Sequence, residues 1–291
     1  MTTSADPGSG AAPAWFTDAL AAPVTEHEVT VAGTAIAYRA WGAPAGQGVV
    51  LVHGAAAHSR WWDHVAPLLL DSGRVVALDL SGHGDSGRRD AYSLDLWMRE
   101  VLAVIADAGL GGSAVVIGHS LGGAVTLRLA ASAGARIAGV VLLDSPLAVP
   151  GVEQRASRER RAFGAPPRVY PSRAAIVRHF SPMPKQPVLG YVAEHVAATS
   201  VREVSGGWGW KWDPAVFARE RVENTLTTVD CRVALVNAEH GVVSADRRDA
   251  MAERLGPATE IVEIAGAQHH IMLDQPLALV AALRKLLAGW G

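Results

Sequence analysis

Six short segments of this chain are nearly continuous in apolar residues: GVVLVHG (48–54), RVVALDL (74–80), AVVIGHS (114–120), GVVLLDS (139–145), RVALVNA (232–238) and EIVEIAG (260–266). A strand with one wet face alternates apolar and polar positions. Runs apolar at successive positions need cover on both faces, the pattern of a parallel sheet. Ahead of them, EVTVAGTAIAYRAW (28–41) predicts two strands joined by a turn at Ala32-Gly33. Residues 93–108, 121–133, 245–255 and 276–288 carry apolar positions at helical spacing. The last of these opens on Asp274-Gln275-Pro276, and proline suits a first helical turn. Strands and helices in alternation predict an α/β fold with a mostly parallel, doubly wound sheet.

One interval breaks the rhythm. Residues 144–232 contain no buried-strand pattern, where a βα unit needs only about thirty residues. They hold a basic stretch (RASRERRAFGAPPR), a proline-rich segment (SPMPKQP) and GGWGWKWDP. A structureless loop of that length is not expected in a compact domain. Residues 147–212 are therefore predicted to form a small helical insertion over the sheet, with a returning helix around 215–227. This leaves 13–146 and 213–291 as the core, and 1–12, rich in Pro, Gly, Ser and Ala, as a mobile tail.

Composition narrows the function. Of 291 residues, 49% are hydrophobic and 19% charged, which excludes disorder as the main state. Lys and Arg number 26 against 28 Asp and Glu, and this balance argues against a nucleic-acid partner, whose phosphates call for surplus basic charge. Mean hydropathy is +0.18, yet no run approaches the roughly 18 apolar residues of a membrane span, so no membrane partner is expected. The single cysteine, Cys231, forms neither an internal disulfide nor a thiolate zinc cage, and the expected setting is cytoplasmic. No HExxH or clustered ligand spacing appears, so neither metal nor cofactor is predicted.

The strongest local signal is GHSLGG (118–123), between the run AVVIG and a predicted helix. A serine on a tight strand-to-helix turn projects its hydroxyl above the sheet, and the helix start directs unpaired N–H groups toward it. A serine needs a base to take its proton. GAQHHIMLDQP, after the last predicted strand, offers His269 and His270. The amides of Leu121, next to Ser120, and of Ala55, in the turn after VVLVHG, are the candidate oxyanion donors.

With these fragments in view the chain resembles the α/β-hydrolases of the serine-nucleophile kind. The likeness rests on HG (53–54) with Trp61 and Trp62 downstream, LDLSGHGDSG (78–87), GHSLGG (118–123), VVLLDSP (140–146) and GAQHHIMLDQP (266–276). It implies an α/β-hydrolase fold with a helical cap inserted after the sixth strand, matching the irregular interval. The family's Gly-x-x-His pattern falls on Gly266 and His269, with Asp274 and Pro276 following, so the resemblance assigns the base to His269. In most relatives the triad acid follows the penultimate strand as Gly-x-x-Asp. Here NAEHGVV puts Ala238 in the glycine place and Gly241 where the aspartate would stand, with Glu239 two positions early. Some members take the acid from the end of the strand after the nucleophile strand, where this chain has Asp144. Asp144 is the expected acid, Glu239 and Asp246 are the alternatives, and a turn-capping role ahead of Ser145-Pro146 is the non-catalytic reading of Asp144.

The resemblance implies a serine hydrolase cleaving a small to medium apolar carboxylic ester or lactone through an acyl-enzyme. The alternatives are C–C bond hydrolysis of a diketone-like substrate and a non-catalytic binding module on the same fold. Serine at the elbow argues against members of the fold that need an aspartate there. Nine tryptophans against four Phe and four Tyr are an excess, and Trp61, Trp208, Trp210 and Met183 are the candidate substrate-binding residues. The three from the insertion serve equally well as that insertion's own core. The expected partner is a small apolar substrate, and the chain is expected to be a monomer or homodimer.

Overall fold

The computed structural model describes residues 11–149, 168–217, 226 and 228–290. In chain order the elements are α1 (Ala14–Ala21), β1 (Thr25–Val31), β2 (Thr34–Gly46), β3 (Val49–Val52), β4 (Gly73–Leu78), α2 (Leu94–Asp107), β5 (Val115–His119), α3 (Leu121–Ala133) and β6 (Gly139–Leu143). After these come α4 (Arg173–Val177), α5 (Gly190–Thr199), β7 (Val201–Val204), β8 (Gly207–Trp210), β9 (Arg232–His240), α6 (Ala245–Leu255), β10 (Glu260–Gln268), α7 (Ile271–Asp274) and α8 (Pro276–Trp290). Eight strands form one sheet in the order β1-β2-β4-β3-β5-β6-β9-β10. β1 and β2 form an antiparallel hairpin across Ala32-Gly33, and β2 runs antiparallel to β4. From β4 to β10 every pairing is parallel.

Each apolar run divides its residues between two cores, as the pleat requires. Val50, Val52, Val76, Val116, Val140 and Leu142 face one side, where α2, α3 and α6 supply Trp97, Val101, Val125 and Met251. Val49, Leu51, Val75, Ile117, Val141 and Leu143 face the other, against Leu279, Leu283 and Leu287 of α8 and Phe16 of α1. Each such side chain contributes about 1.5–3 kcal/mol when fully buried. That two-sided demand makes the runs unbroken. Helix α2 begins at a side-chain cap, Leu96 N–H donating to Ser93 Oγ at 3.2 Å.

The interval between β6 and β9 differs in part from expectation. Helices α4 and α5 fit a helical insertion, but β7 and β8 pair as a separate two-stranded antiparallel sheet. Tyr170 and Trp208 exchange backbone hydrogen bonds at its edge, over a small core of Tyr170, Ile176 and Val201. At the predicted returning helix, Pro214–Phe217 form a 3-10 turn. Residues 218–225 and 227 of that helix, 150–167 of the insertion and 1–10 of the predicted tail lie outside the described residues. Helix α1 was not foreseen; its Trp15 and Phe16 pack edge-on against Tyr191 of α5, with ring centroids 6.2 and 4.9 Å apart.

Several polar contacts tie the insertion to the core. Gly84 N–H donates to Lys211 O and Asp213 N–H to Gly82 O, both at 2.7 Å, while Lys211 Nζ pairs with Asp85 at 2.6 Å. Buried Asp63 accepts from Arg39 at 3.1 Å and from His195 of α5 at 2.9 Å. Among the described residues no helix is long and apolar enough to cross a membrane.

Candidate active site

Ser120 follows β5 directly, and its backbone N–H continues the strand ladder by donating to Leu143 O at 3.1 Å. Its φ of 52° lies where a non-glycine residue is strained by about 1–3 kcal/mol. Among the described residues the other non-glycine positions with positive φ are Ala32, Ala56 and Asp144. Ala32 belongs to the β1–β2 turn; the remaining two, with Ser120, fall at the predicted oxyanion turn and the predicted acid. The strain therefore concentrates at one site. Helix α3 leaves Ser120 so close to β3 that a Cβ on Gly122 would overlap the carbonyls of Val52 and His53, so only glycine fits there.

His269 lies between Ser120 and Asp144. Its Nδ1–H donates to Asp144 Oδ2 at 2.7 Å, and its Nε2 is 3.2 Å from Ser120 Oγ, in reach of the hydroxyl proton. Asp144 is fully buried, accepts from Val242 N–H at 2.9 Å, and its own N–H donates to Val236 O at 2.8 Å. A Cβ on Gly241 would overlap the Asp144 carboxyl group. The glycine that replaces the expected acid is thus the space into which Asp144 reaches. Glu239 instead accepts from Gly266 N–H at 2.7 Å and is half-exposed, and Asp246 is exposed in the first turn of α6.

The turn after β3 closes through Ala57 N–H to Gly54 O at 3.2 Å, with Ala56 at φ 59°. Leu121 is the first residue of α3, so its N–H has no intrahelical acceptor. Neither this amide nor that of Ala55 donates to a protein acceptor among the described residues. Gly54 abuts the elbow: a Cβ there would stand 3.3 Å from Ser120 Cβ.

One support, Asp79, was not singled out from sequence, and a second, His53, entered there only as part of the HG pair. Buried Asp79 accepts from Ser59 N–H at 2.6 Å and from Asp85 N–H at 2.8 Å, pinning the loops after β3 and β4; burial raises its carboxyl pKa. His53 does similar work: its Nδ1–H donates to Gly54 O at 2.7 Å and its Nε2 accepts from Leu80 N–H at 3.0 Å. Burial lowers the His53 pKa to about 4, so the ring stays neutral.

Two further histidines stand beside His269. His119 Nε2–H donates to His269 O at 2.9 Å, and His270 Nε2–H to Met183 O at 3.0 Å. Burial pushes His119 well below its ordinary value and His270 down to about 3.

The predicted substrate residues separate. Trp61 lies 5.4 Å from the His270 ring and 6.0 Å from Phe180, and its buried indole N–H has no acceptor among the described residues. Met183 reaches the site through its carbonyl. Trp210 connects only through Phe180, at 6.2 Å. Trp208 is not brought to the site; it packs against the insertion's own small core. Trp62 is fully buried in the sheet core, and Phe180 is the aromatic residue that sequence reasoning missed. A separate depression of about 450 Å³, lined among others by Cys231, Arg232, Leu255 and Trp290, lies at the opposite end of the strands, away from Ser120.

Comparison with known proteins agrees with this fold. The model of the alpha/beta hydrolase family matches residues 49–283. A Mycobacterium tuberculosis protein named Lipase LipV is 30% identical over 253 residues, covering 82% of this chain and 92% of its own length. An esterase from the same organism is 30% identical over 277 residues, covering 91% of this chain and 90% of its own. Among solved structures, E-2-(acetamidomethylene)succinate hydrolase superposes with a TM-score of 0.79 at 21% identity, over 91% of this chain and 100% of its own, which is a likeness of fold. The chain is a hydrolase and belongs to the alpha/beta hydrolase family.

Proposed function

We propose that this hydrolase cleaves apolar carboxylic esters, open or cyclic, through an acyl-enzyme on Ser120. The carrying observation is the buried relay from Asp144 through His269 to Ser120, each link within hydrogen-bond reach. Ser120 Oγ attacks the ester carbonyl while His269 Nε2 takes its proton; Asp144 holds the Nδ1–H tautomer and balances the imidazolium. The carbonyl oxygen becomes an oxyanion facing the amides of Ala55 and Leu121. His269 returns the proton to the departing alkoxide. Water, deprotonated by the same nitrogen, then attacks the acyl carbonyl and releases the acid and Ser120. In a lactone the leaving alcohol stays tethered to the acyl group, and the same steps open the ring.

Residues 147–212 act as the cap, and Trp61 with Phe180 forms the apolar wall against which the acyl or alcohol group packs. A fluorophosphonate probe is expected to label the native protein and not Ser120→Ala. Labelling that survives the substitution refutes the assignment.

A further inference from the structure

His119, His269 and His270 bring three imidazoles together, with ring centroids 4.7 Å (119 to 269), 5.3 Å (119 to 270) and 4.7 Å (269 to 270) apart. One ring nitrogen of each lies within 4.8 Å of one ring nitrogen of both others. The relay uses only His269. What the other two are for is answered by their tautomers.

Each ring has one nitrogen facing an acceptor: His119 Nε2 faces His269 O, His269 Nδ1 faces Asp144 Oδ2, and His270 Nε2 faces Met183 O. A carbonyl or carboxylate can only accept, so each of these nitrogens carries the proton. The opposite nitrogens, His119 Nδ1, His269 Nε2 and His270 Nδ1, are therefore lone pairs. His270 Nδ1 is buried without a hydrogen-bond partner among the described residues, a cost that a native site normally avoids. A histidine whose far N–H is held by a carbonyl or carboxylate is the usual form of a metal-ligating imidazole, and here all three have it.

We propose that His119, His269 and His270 form a binding site for Zn²⁺ or a similar divalent transition-metal ion, and that its occupancy switches the hydrolase off by capping His269 Nε2. The binding half stands on the geometry of the three rings; the inhibition half rests on the base role given to His269 above. Three neutral imidazoles suit Zn²⁺, at metal–nitrogen distances of about 2.0–2.1 Å. Tetrahedral nitrogens on such an ion are about 3.4 Å apart, and one nitrogen of each ring already stands within 4.8 Å of one nitrogen of both others, so an ion held through the three lone pairs requires the rings to turn. The ion takes the lone pair that accepts the Ser120 proton, and the serine loses its base without any covalent change. The site escapes motif searches because His119 and His269 are 150 positions apart.

The test is equilibrium dialysis of the full chain against Zn²⁺, with Co²⁺ as a spectroscopic probe of tetrahedral nitrogen ligation. One ion per chain is expected, with hydrolysis lost in step with occupancy and restored by a chelator. His270→Phe and His119→Phe are each expected to weaken binding by more than about 100-fold, beyond what loss of an outer hydrogen bond does. Absence of stoichiometric binding by the native chain overturns the site, and so does native affinity in both variants. Binding that leaves hydrolysis intact overturns the inhibition half. Fluorophosphonate labelling of metal-free protein reads the proposed function separately: its failure strikes that reading and leaves the dialysis result standing.

Discussion

Gly241→Ala places a methyl group where the Asp144 carboxyl now lies. Gly241 does not occupy the positive-φ region, so alanine meets no backbone penalty there and the whole effect is steric. The added Cβ overlaps both carboxylate oxygens and Cγ of Asp144, and ordinary van der Waals contact requires a retreat of about 1 Å. Asp144 has little room to give, being fully buried and tethered to Val242 N–H and Val236 O. A retreat of that size stretches the 2.7 Å bond from His269 Nδ1 to about 3.7 Å, outside hydrogen-bond range. A 1 Å misplacement costs about 100-fold in rate, or about 2.7 kcal/mol of transition-state stabilisation. Overpacking lowers stability by about 1–3 kcal/mol, which leaves a folded protein to assay. The measurement is kcat on a p-nitrophenyl ester beside a urea melt. A folded Gly241→Ala protein with native kcat would refute both the placement of the acid and the reason a glycine stands at 241.

Asp144→Asn keeps the shape but loses the charge that fixes the His269 tautomer, and kcat should fall about 10²–10⁴-fold, while Glu239→Gln stays within about twofold; a collapse in Glu239→Gln alone reverses the assignment. Asp274 provides a pH test. Burial raises its pKa to about 6, and its Oδ2 accepts from Gln268 N–H at 2.7 Å and Gln186 Nε2 at 3.2 Å. The raised folded value means that this group's contribution falls as pH climbs through about 4 to 6, where the unfolded carboxyl has already ionised. Asp274→Asn keeps an acceptor without the charge and should gain about 1 kcal/mol at pH 8, after allowance for partial exposure, and nothing at pH 3.5. Urea melts at both pH values decide it, and an equal gain at both counts against the cause.

The sheet was legible because burial on both faces leaves no polar position inside the strands, so Val49–Val52 or Gly139–Leu143 announce themselves as runs. The β7–β8 hairpin was not, because four-residue strands over a small core bury only some positions and place Gly207 and Gly209 among tryptophans. Helix α1 escaped because its eight residues gain cover from Tyr191 and His64, both remote in sequence. The nucleophile is a local event, a turn between two strong elements, and could be read directly. The acid is not local: choosing Asp144 rested on family resemblance, while the vacated space at Gly241 that explains it exists only across the β6–β9 pair. Asp79, His119 and His270 act through contacts between distant segments, and no spacing along the chain encodes that meeting.

The hydrogen-bond ladder running through the site has a kinetic consequence. Ser120 N–H binds Leu143 O and Asp144 N–H binds Val236 O, so nucleophile and acid are anchored to neighbouring strands at the level of the main chain, while the His119 side chain holds His269 O. No single loop opening separates nucleophile from acid without tearing the centre of the sheet, the slowest part of such a fold to exchange. Thermal inactivation should then coincide with cooperative unfolding, not precede it. The insertion meets the core through Val192 and Val196 of α5 and through ties to His270 and Asp274 beside the site. Its shape and substrate choice can therefore diverge without disturbing the reacting atoms only where those contacts are kept.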